Sequence, residues 1–297
     1  MHTLITRRGF LETSAAGLAT AGLGAGSLQA APKKEFRPKL GLVTYNWGKT
    51  WGVPTLIKNC EVTGFTGVEL RSTHKHGVEI TIDKVKRHEV KKQFEDSKVE
   101  LVGLGSACEY HSADPAVLKK NIEETNAFVR LCKDVGGSGV KVRPNGLPKE
   151  VPVEKTIEQI GMSLRKVATY AADYDVQIRV EVHGRGTAEL PLIKQMMDIA
   201  DHPNAVICWN CNPTDLNGEG LKHNFNLVKN HFGETVHIHD LRNDRYPWKE
   251  FFGLLKGISF SDWALIEEGQ VPGDVVAAMH ENRKVFDKLV ADTTKGE

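Results

Sequence analysis

Eight times after Pro38 the chain repeats one unit: a short apolar run ending in polar side chains, then a stretch whose apolar residues recur at helical spacing. The runs are Leu40–Tyr45, Gly67–Arg71, Val99–Gly105, Gly139–Arg143, Val176–His183, Ala205–Asn210, Thr235–Asp240 and Trp263–Glu267. Their starts fall roughly 25–40 residues apart, the length of one βα unit. The intervening stretches carry helix signals of their own. Asp114-Pro115 supplies an N-cap and a proline for the first helical position; Leu118, Ile122, Val129 and Cys132 then share a face, and Gly136-Gly137 ends the helix. Ile157, Ile160, Leu164, Val167, Ala168 and Ala171 keep the same period. Eight such units predict an α/β fold, a single (β/α)8 TIM barrel over residues 36–297, close to the usual size of about 250 residues. An open doubly wound sheet would carry a glycine-rich phosphate turn after its first strand. Leu40–Gly48 has no G-x-G-x-x-G.

Residues 1–30 read as an address and not as part of that fold. Thr6-Arg7-Arg8-Gly9-Phe10-Leu11 precedes a weakly apolar Ala/Gly stretch and then Ser27-Leu28-Gln29-Ala30, which resembles a twin-arginine signal peptide. The expectation is recognition by the twin-arginine export machinery and a soluble periplasmic or otherwise exported protein. Such a route carries folded proteins, so a metal could be loaded before export. Beyond the leader no apolar segment reaches 18 residues, and no stable membrane anchor is expected. Lys+Arg (39) nearly cancels Asp+Glu (38), which argues against nucleic acid as the partner. Five cysteines in so long a chain make no disulfide scaffold. Cys208 and Cys211 are read as packed thiols, because positions three apart on a strand point to opposite faces.

Barrel enzymes place their chemistry at the carboxyl ends of the strands. There this sequence gathers Glu69, Arg71, His74 and His76; Glu109 and His111; Lys141 and Arg143; Glu181 and His183; Asn210 and Asn212; His237, His239 and Asp240; and Glu267 and Glu268. Six of its twelve histidines are among them. Alternation in Gln177–His183 puts Glu181 and His183 on one face, and His237 and His239 share a face likewise. Buried carboxylates and imidazoles without partners are expensive, so their convergence implies a bound group, most economically a cation. Each residue alone has a plainer role: Lys141 and Arg143 as partners of nearby carboxylates, His239 as a group that orients a neighbour.

Gly67–Arg71, Glu181-Val182-His183-Gly184, Val206–Asn210, His237-Ile238-His239-Asp240 and Trp263–Glu267, in this order, resemble the xylose-isomerase-like barrel family of sugar isomerases and epimerases. The resemblance implies one divalent ion held from strands five to eight. Position by position, the donors are Glu181, Asn210, His237 and Glu267. The family's H-x-x-D pattern favours His237 over His239, and parity favours Glu267 over Glu268. Asn210 departs from the usual Asp, leaving two negative charges among the donors instead of three and implying a weaker or altered site. Mixed carboxylate, amide and imidazole donors suit Mn2+, which we expect, as well as Mg2+, Co2+ or Zn2+.

The same resemblance implies a carbohydrate substrate and proton transfer next to its carbonyl. Glu181 and Glu267 are the expected acid/base pair, with His74, His76, His111, Lys141, His183 and His239 as substrate contacts. Trp47 and Trp51 are candidates for stacking on a sugar or for a core or lid role. Three readings follow: a divalent-metal-dependent sugar isomerase or epimerase; a 3-keto-glycoside lyase or hydratase using the same site; and a sugar-binding barrel without catalysis. A repair nuclease of the same family would need a trinuclear site and DNA contacts, against which the charge balance speaks. Dimers and tetramers are frequent in the family, so the resemblance also allows a homo-oligomer.

Overall fold

The computed structural model describes residues 35–296. The proposed export signal lies outside them. Eight parallel strands close into a barrel in sequence order. They are β1 (Lys39–Val43), β2 (Gly67–Arg71), β3 (Glu100–Glu109), β4 (Gly139–Arg143), β5 (Gln177–Glu181), β6 (Ala205–Asn210), β7 (Phe232–Ile238) and β8 (Trp263–Ile266). Helices α1 (Val53–Thr63), α2 (Lys84–Glu95), α3 (Pro115–Val135), α4 (Val153–Ala172), α5 (Leu190–Ala200), α6 (Leu221–Val228), α7 (Trp248–Gly257) and α8 (Val275–Lys295) follow the strands in turn. Leu40 on β1 pairs with Ala264 on β8, which closes the ring. Among the described residues, no helix is long and apolar enough to cross a membrane.

The α3 ends match their sequence signals. Asp114 caps the helix by accepting from the Ala116 amide, Pro115 takes the first position, and Gly136 ends it at φ +90°. The predicted inner face of α4 is wholly buried. Five strands differ in extent from the expectation; β1 ends at Val43 instead of Tyr45 and β8 at Ile266 instead of Glu267. β3 continues to Glu109 because its register shifts beyond Gly105 and Glu109 still pairs with Arg143. β5 ends at Glu181, short of His183, where the chain bends away. β7 begins at Phe232, which pairs with Ile207.

The barrel interior is filled in layers. At the amino-terminal end, Trp263 and Arg179 occupy so much space that the facing positions on β2 and β4 are glycine. A Cβ at Gly67 would collide with Trp263, and one at Gly139 with Arg179. Arg179 is fully buried, yet each of its nitrogens has a partner. Nη1 donates to the Val102 carbonyl at 3.0 Å, Nη2 to Glu234 at 2.7 Å and to Ser138 Oγ at 2.8 Å, and Nε to Gln177 at 3.1 Å. Charge buried with its hydrogen bonds complete serves the fold. Going two residues further along β5 reaches Glu181 and a different environment.

Candidate functional site

Glu181, Asn210, His237 and Glu267 come together at the carboxyl end of the barrel. Pairing of Asn210 with His237 sets β6 against β7, and the Glu267 amide still donates to Ile238 of β7 at 2.9 Å. One donor atom each from Glu181, His237 and Glu267 lie within 4.8 Å of one another. His237 Nδ1 is 3.2 Å from Glu267 Oε2 and 4.0 Å from Glu181 Oε1. Asn210 Nδ2 donates to Glu181 Oε1 at 3.0 Å, while its carbonyl Oδ1 is buried with no hydrogen-bond partner. An unmade hydrogen bond on a buried oxygen is costly, and a cation among these donors removes that cost. Carboxylate, imidazole and amide oxygen form a donor set that a divalent ion accepts. The residues present therefore fit a metal.

Two further charges complete the cluster. Lys141 on β4, buried, donates from Nζ to Glu181 Oε2 at 2.6 Å. It stays charged: burial lowers its pKa, but Glu181, Glu267 and Glu69 outweigh that and raise it. The second charge is Glu69 on β2, fully buried, whose carboxylate oxygens both lack hydrogen bonds. Its Oε1 lies 3.4 Å from His237 Nε2, within ion-pair range, so the ring is held between Glu69 and the donor cluster. A carboxylate behind a ligating histidine fixes the ring and makes it a better donor. Gly105 leaves the room, since a Cβ there would stand 3.0 Å from Glu69 Oε1.

This changes the charge expected from sequence. The donors alone carry two carboxylates, but the buried cluster carries three, Glu69 being the third, offset by the Lys141 ammonium. The resulting double negative charge matches a divalent cation despite the amide at position 210. Burial raises the pKa of Glu267, but His237 and Lys141 prevail and hold it at about 2. Burial lowers the pKa of His237, and the negative groups around it, Glu69 and Glu267 included, overcome this and raise it well above the usual value. Protons thus compete with a metal for this ring.

The expected substrate contacts are distributed around the mouth. His239 is half-buried and spends Nδ1 on the Glu267 carbonyl at 2.8 Å. His183 sits 2.8 Å from Asn145 Oδ1, and Asn145 together with Arg143 donates to Glu109. His74 is buried beside Arg71; burial, with Arg71 and His76 adding to it, lowers its pKa to about 4, so the ring is neutral at physiological pH. His76 differs from the expectation. Its Nε2 is 2.7 Å from the Arg71 carbonyl and its Nδ1 accepts from the Val78 amide at 3.0 Å, so both nitrogens hold their own loop. His111 lines a cleft with Gly146 and Arg185 and lies 3.8 Å from Glu109, the carboxylate that Arg143 and Asn145 share. Lys141 meets Glu181 and has only 3 % of its side chain exposed, which makes it a partner of the cluster before it is a substrate contact. Trp47 belongs to the core and also walls a pocket beside the site. All five cysteines are free and buried, Cys208 and Cys211 included.

The sequence profile of the xylose isomerase-like TIM barrel family matches residues 57–289, most of the chain. The chain belongs to this family. A search of curated proteins by sequence gives no match. Solved structures similar to this family member include an L-ribulose 3-epimerase, with a TM-score of 0.75 and 16% identity over 87% of this chain and 96% of that one. A 3-keto-D-glucoside 4-epimerase from E. coli gives 0.71 and 12% identity over 86% of this chain and 100% of that one. The IolI protein, solved with a bound zinc atom, gives 0.67 and 16% identity over 87% of this chain and 98% of that one. At such identities the likeness establishes the shared barrel.

Proposed function

We propose that this family member is a divalent-metal-dependent sugar isomerase or epimerase acting through an enediolate. The observation that carries the reading is the convergence of Glu181, His237 and Glu267 within 4.8 Å, beside the Asn210 amide oxygen, which is buried without a hydrogen bond. The similar structures add support, since two of the three are named as sugar epimerases and the third holds zinc. Glu181, Asn210, His237 and Glu267 would hold the ion, and Mn2+ remains our choice among Mn2+, Mg2+, Co2+ and Zn2+. Bound there, it supplies Lewis acidity that makes a C–H beside a carbonyl labile.

The protein's own groups then handle the proton. Glu267, with 11% of its side chain exposed against 3% for Glu181, is the carboxylate that faces the mouth. It takes the proton from the substrate carbon, and the C–H electron pair moves into a carbon–carbon double bond as the carbonyl oxygen becomes an enediolate oxygen. Glu181 returns to the carbon a proton that it receives from the Lys141 ammonium hydrogen-bonded to its Oε2, and exchange of Lys141 and Glu267 with solvent restores the starting charges. Return to the opposite face of the same carbon gives epimerisation, and return to the neighbouring carbon gives isomerisation. The Arg7-Arg8 leader makes twin-arginine export and a periplasmic location part of the proposal.

NMR of ketoses and keto-glycosides in D2O with metal-loaded protein tests the reading. We expect solvent deuterium at the carbon next to the carbonyl, abolished by chelation and restored by the ion. Sugar binding without exchange would make the protein a binder, and an unsaturated product would make it a lyase.

A further inference from the structure

Beside the metal donors, and lined by none of them, lies a pocket of about 420 Å³. It belongs to the same mouth. Cys211 and Glu268 each directly follow a metal donor in the chain, and His239 lies two residues after His237; all three line the pocket. Its volume is in the range of small-molecule sites. A monosaccharide seated on Glu181 and Glu267 leaves this space unused.

The walls state what would fill it. Trp47, Tyr246 and Trp248 line the pocket, and the polar edge of each is already committed to protein. The Trp47 indole N–H donates to the Gln270 carbonyl at 2.7 Å, the Tyr246 hydroxyl to Asp215 at 2.8 Å, and the Trp248 indole N–H to the Asn243 carbonyl at 2.7 Å. What these three rings leave for a ligand is carbon. At the rim, Leu216 and Val271 are 39% and 60% exposed, apolar side chains turned to water on either side of the opening. Two cations, Arg242 and Arg245, and two carboxylates, Asp240 and Glu268, line the pocket, with Arg242 tied to Asp240, so its charges balance and it does not select an anion.

We infer that the substrate is a glycoside whose reacting ring carries a keto group of its own and sits on the metal donors, with an uncharged, flat apolar aglycone in this pocket. The inference rests on the sugar-enolising reading of the adjacent cluster and narrows its substrate class. Phosphate gains no net attraction from walls of balanced charge, and free monosaccharides forgo the apolar contact.

Calorimetric titration of the metal-loaded full chain with methyl and p-nitrophenyl D-glucopyranosides, both anomers of each, is the test. The aryl glycoside should bind about 10–50-fold more tightly than the methyl glycoside of the same anomer. Leu216→Asp and Val271→Asp should each reduce that ratio at least threefold, while Leu216→Met and Val271→Ile preserve it. Val62→Asp, on α1 at 54% exposure, is a control that should leave the ratio alone. Equal affinities in the wild type, or an aryl preference untouched by both aspartates, would overturn the inference. The two readings fail separately. Deuterium exchange without aryl preference rejects the pocket alone, whereas aryl preference without exchange rejects enolisation and leaves the pocket standing.

Discussion

The barrel buries two charged clusters one above the other, and they are built on opposite principles. Around Arg179 at the amino-terminal end, every guanidinium nitrogen reaches an acceptor and the matching carboxylate, Glu234, also receives Ser138 Oγ at 2.7 Å. Around His237 at the carboxyl end, both Glu69 oxygens, Asn210 Oδ1 and His237 Nε2 are buried without a hydrogen bond. The same strand feeds both, Arg179 and Glu181 being two residues apart on β5. Arg179 and His237, at the centres of the two clusters, are equally buried, so burial of the central residue does not separate structure from function here. Completeness of hydrogen bonding does: a satisfied network stiffens the fold, and an unsatisfied one waits for a ligand.

Breaking the upper cluster should affect chemistry most. Glu267→Gln is expected to slow deuterium exchange roughly 10²–10⁴-fold, the usual worth of a positioned acid/base, with the thermal midpoint within a few degrees of wild type. Breaking the lower cluster should do the reverse. Arg179→Met removes hydrogen bonds from the buried Val102 carbonyl, Ser138 and Gln177 and should cost about 1–3 kcal/mol of unfolding free energy, measured by urea denaturation and equal with and without chelator.

A third buried carboxyl lies between these extremes and sharpens the contrast. Asp215 accepts from the Tyr246 hydroxyl and the Asn212 amide at Oδ2, but its Oδ1 has no partner. Burial raises its pKa to about 7. Between about pH 4, where an unfolded Asp titrates, and pH 7, the folded chain holds a proton that the unfolded chain has lost. Stability from this group therefore falls as pH rises through that window, by at most about 1.4 kcal/mol per pH unit, and levels off above it. Denaturant midpoints from pH 4 to 8 should show the decline in wild type and a shallower one in Asp215→Asn.

The smallest effect concerns the residue that holds His237 from behind. Glu69→Gln should weaken metal affinity about 10–100-fold without removing a donor. Wild-type affinity in that variant would mean that the ring needs no support.

Much of this was legible in the sequence, for a physical reason. A period-2 strand puts alternate residues inside and the strand ends gather at one end of the barrel; within that frame the family resemblance singled out Glu181, His237 and Glu267, with parity choosing Glu267 over Glu268. The same alternation carries Arg179 inward one layer lower, but nothing local says whether its partners will be complete. Glu69 shares parity with Gly67 and Arg71, and its signal was Gly105, which faces Arg71 in register and leaves room for the Glu69 carboxylate, a relation read only once β2 is aligned with β3. The His76 role depended on loop geometry after β2 that no periodicity encodes. The apolar pocket was hidden most deeply, because Trp47, Leu216, Tyr246 and Val271 come from separate loops and meet only in three dimensions.

The central claim is that the unsatisfied upper cluster exists to hold one divalent cation. Titration of chelator-stripped protein with Mn2+, followed by electron paramagnetic resonance of the free ion, addresses it directly. One ion per chain in the wild type, lost in His237→Gln and in Glu181→Gln while both variants remain folded, is the predicted result. No saturable binding in the wild type, or undiminished binding in both variants, would contradict it.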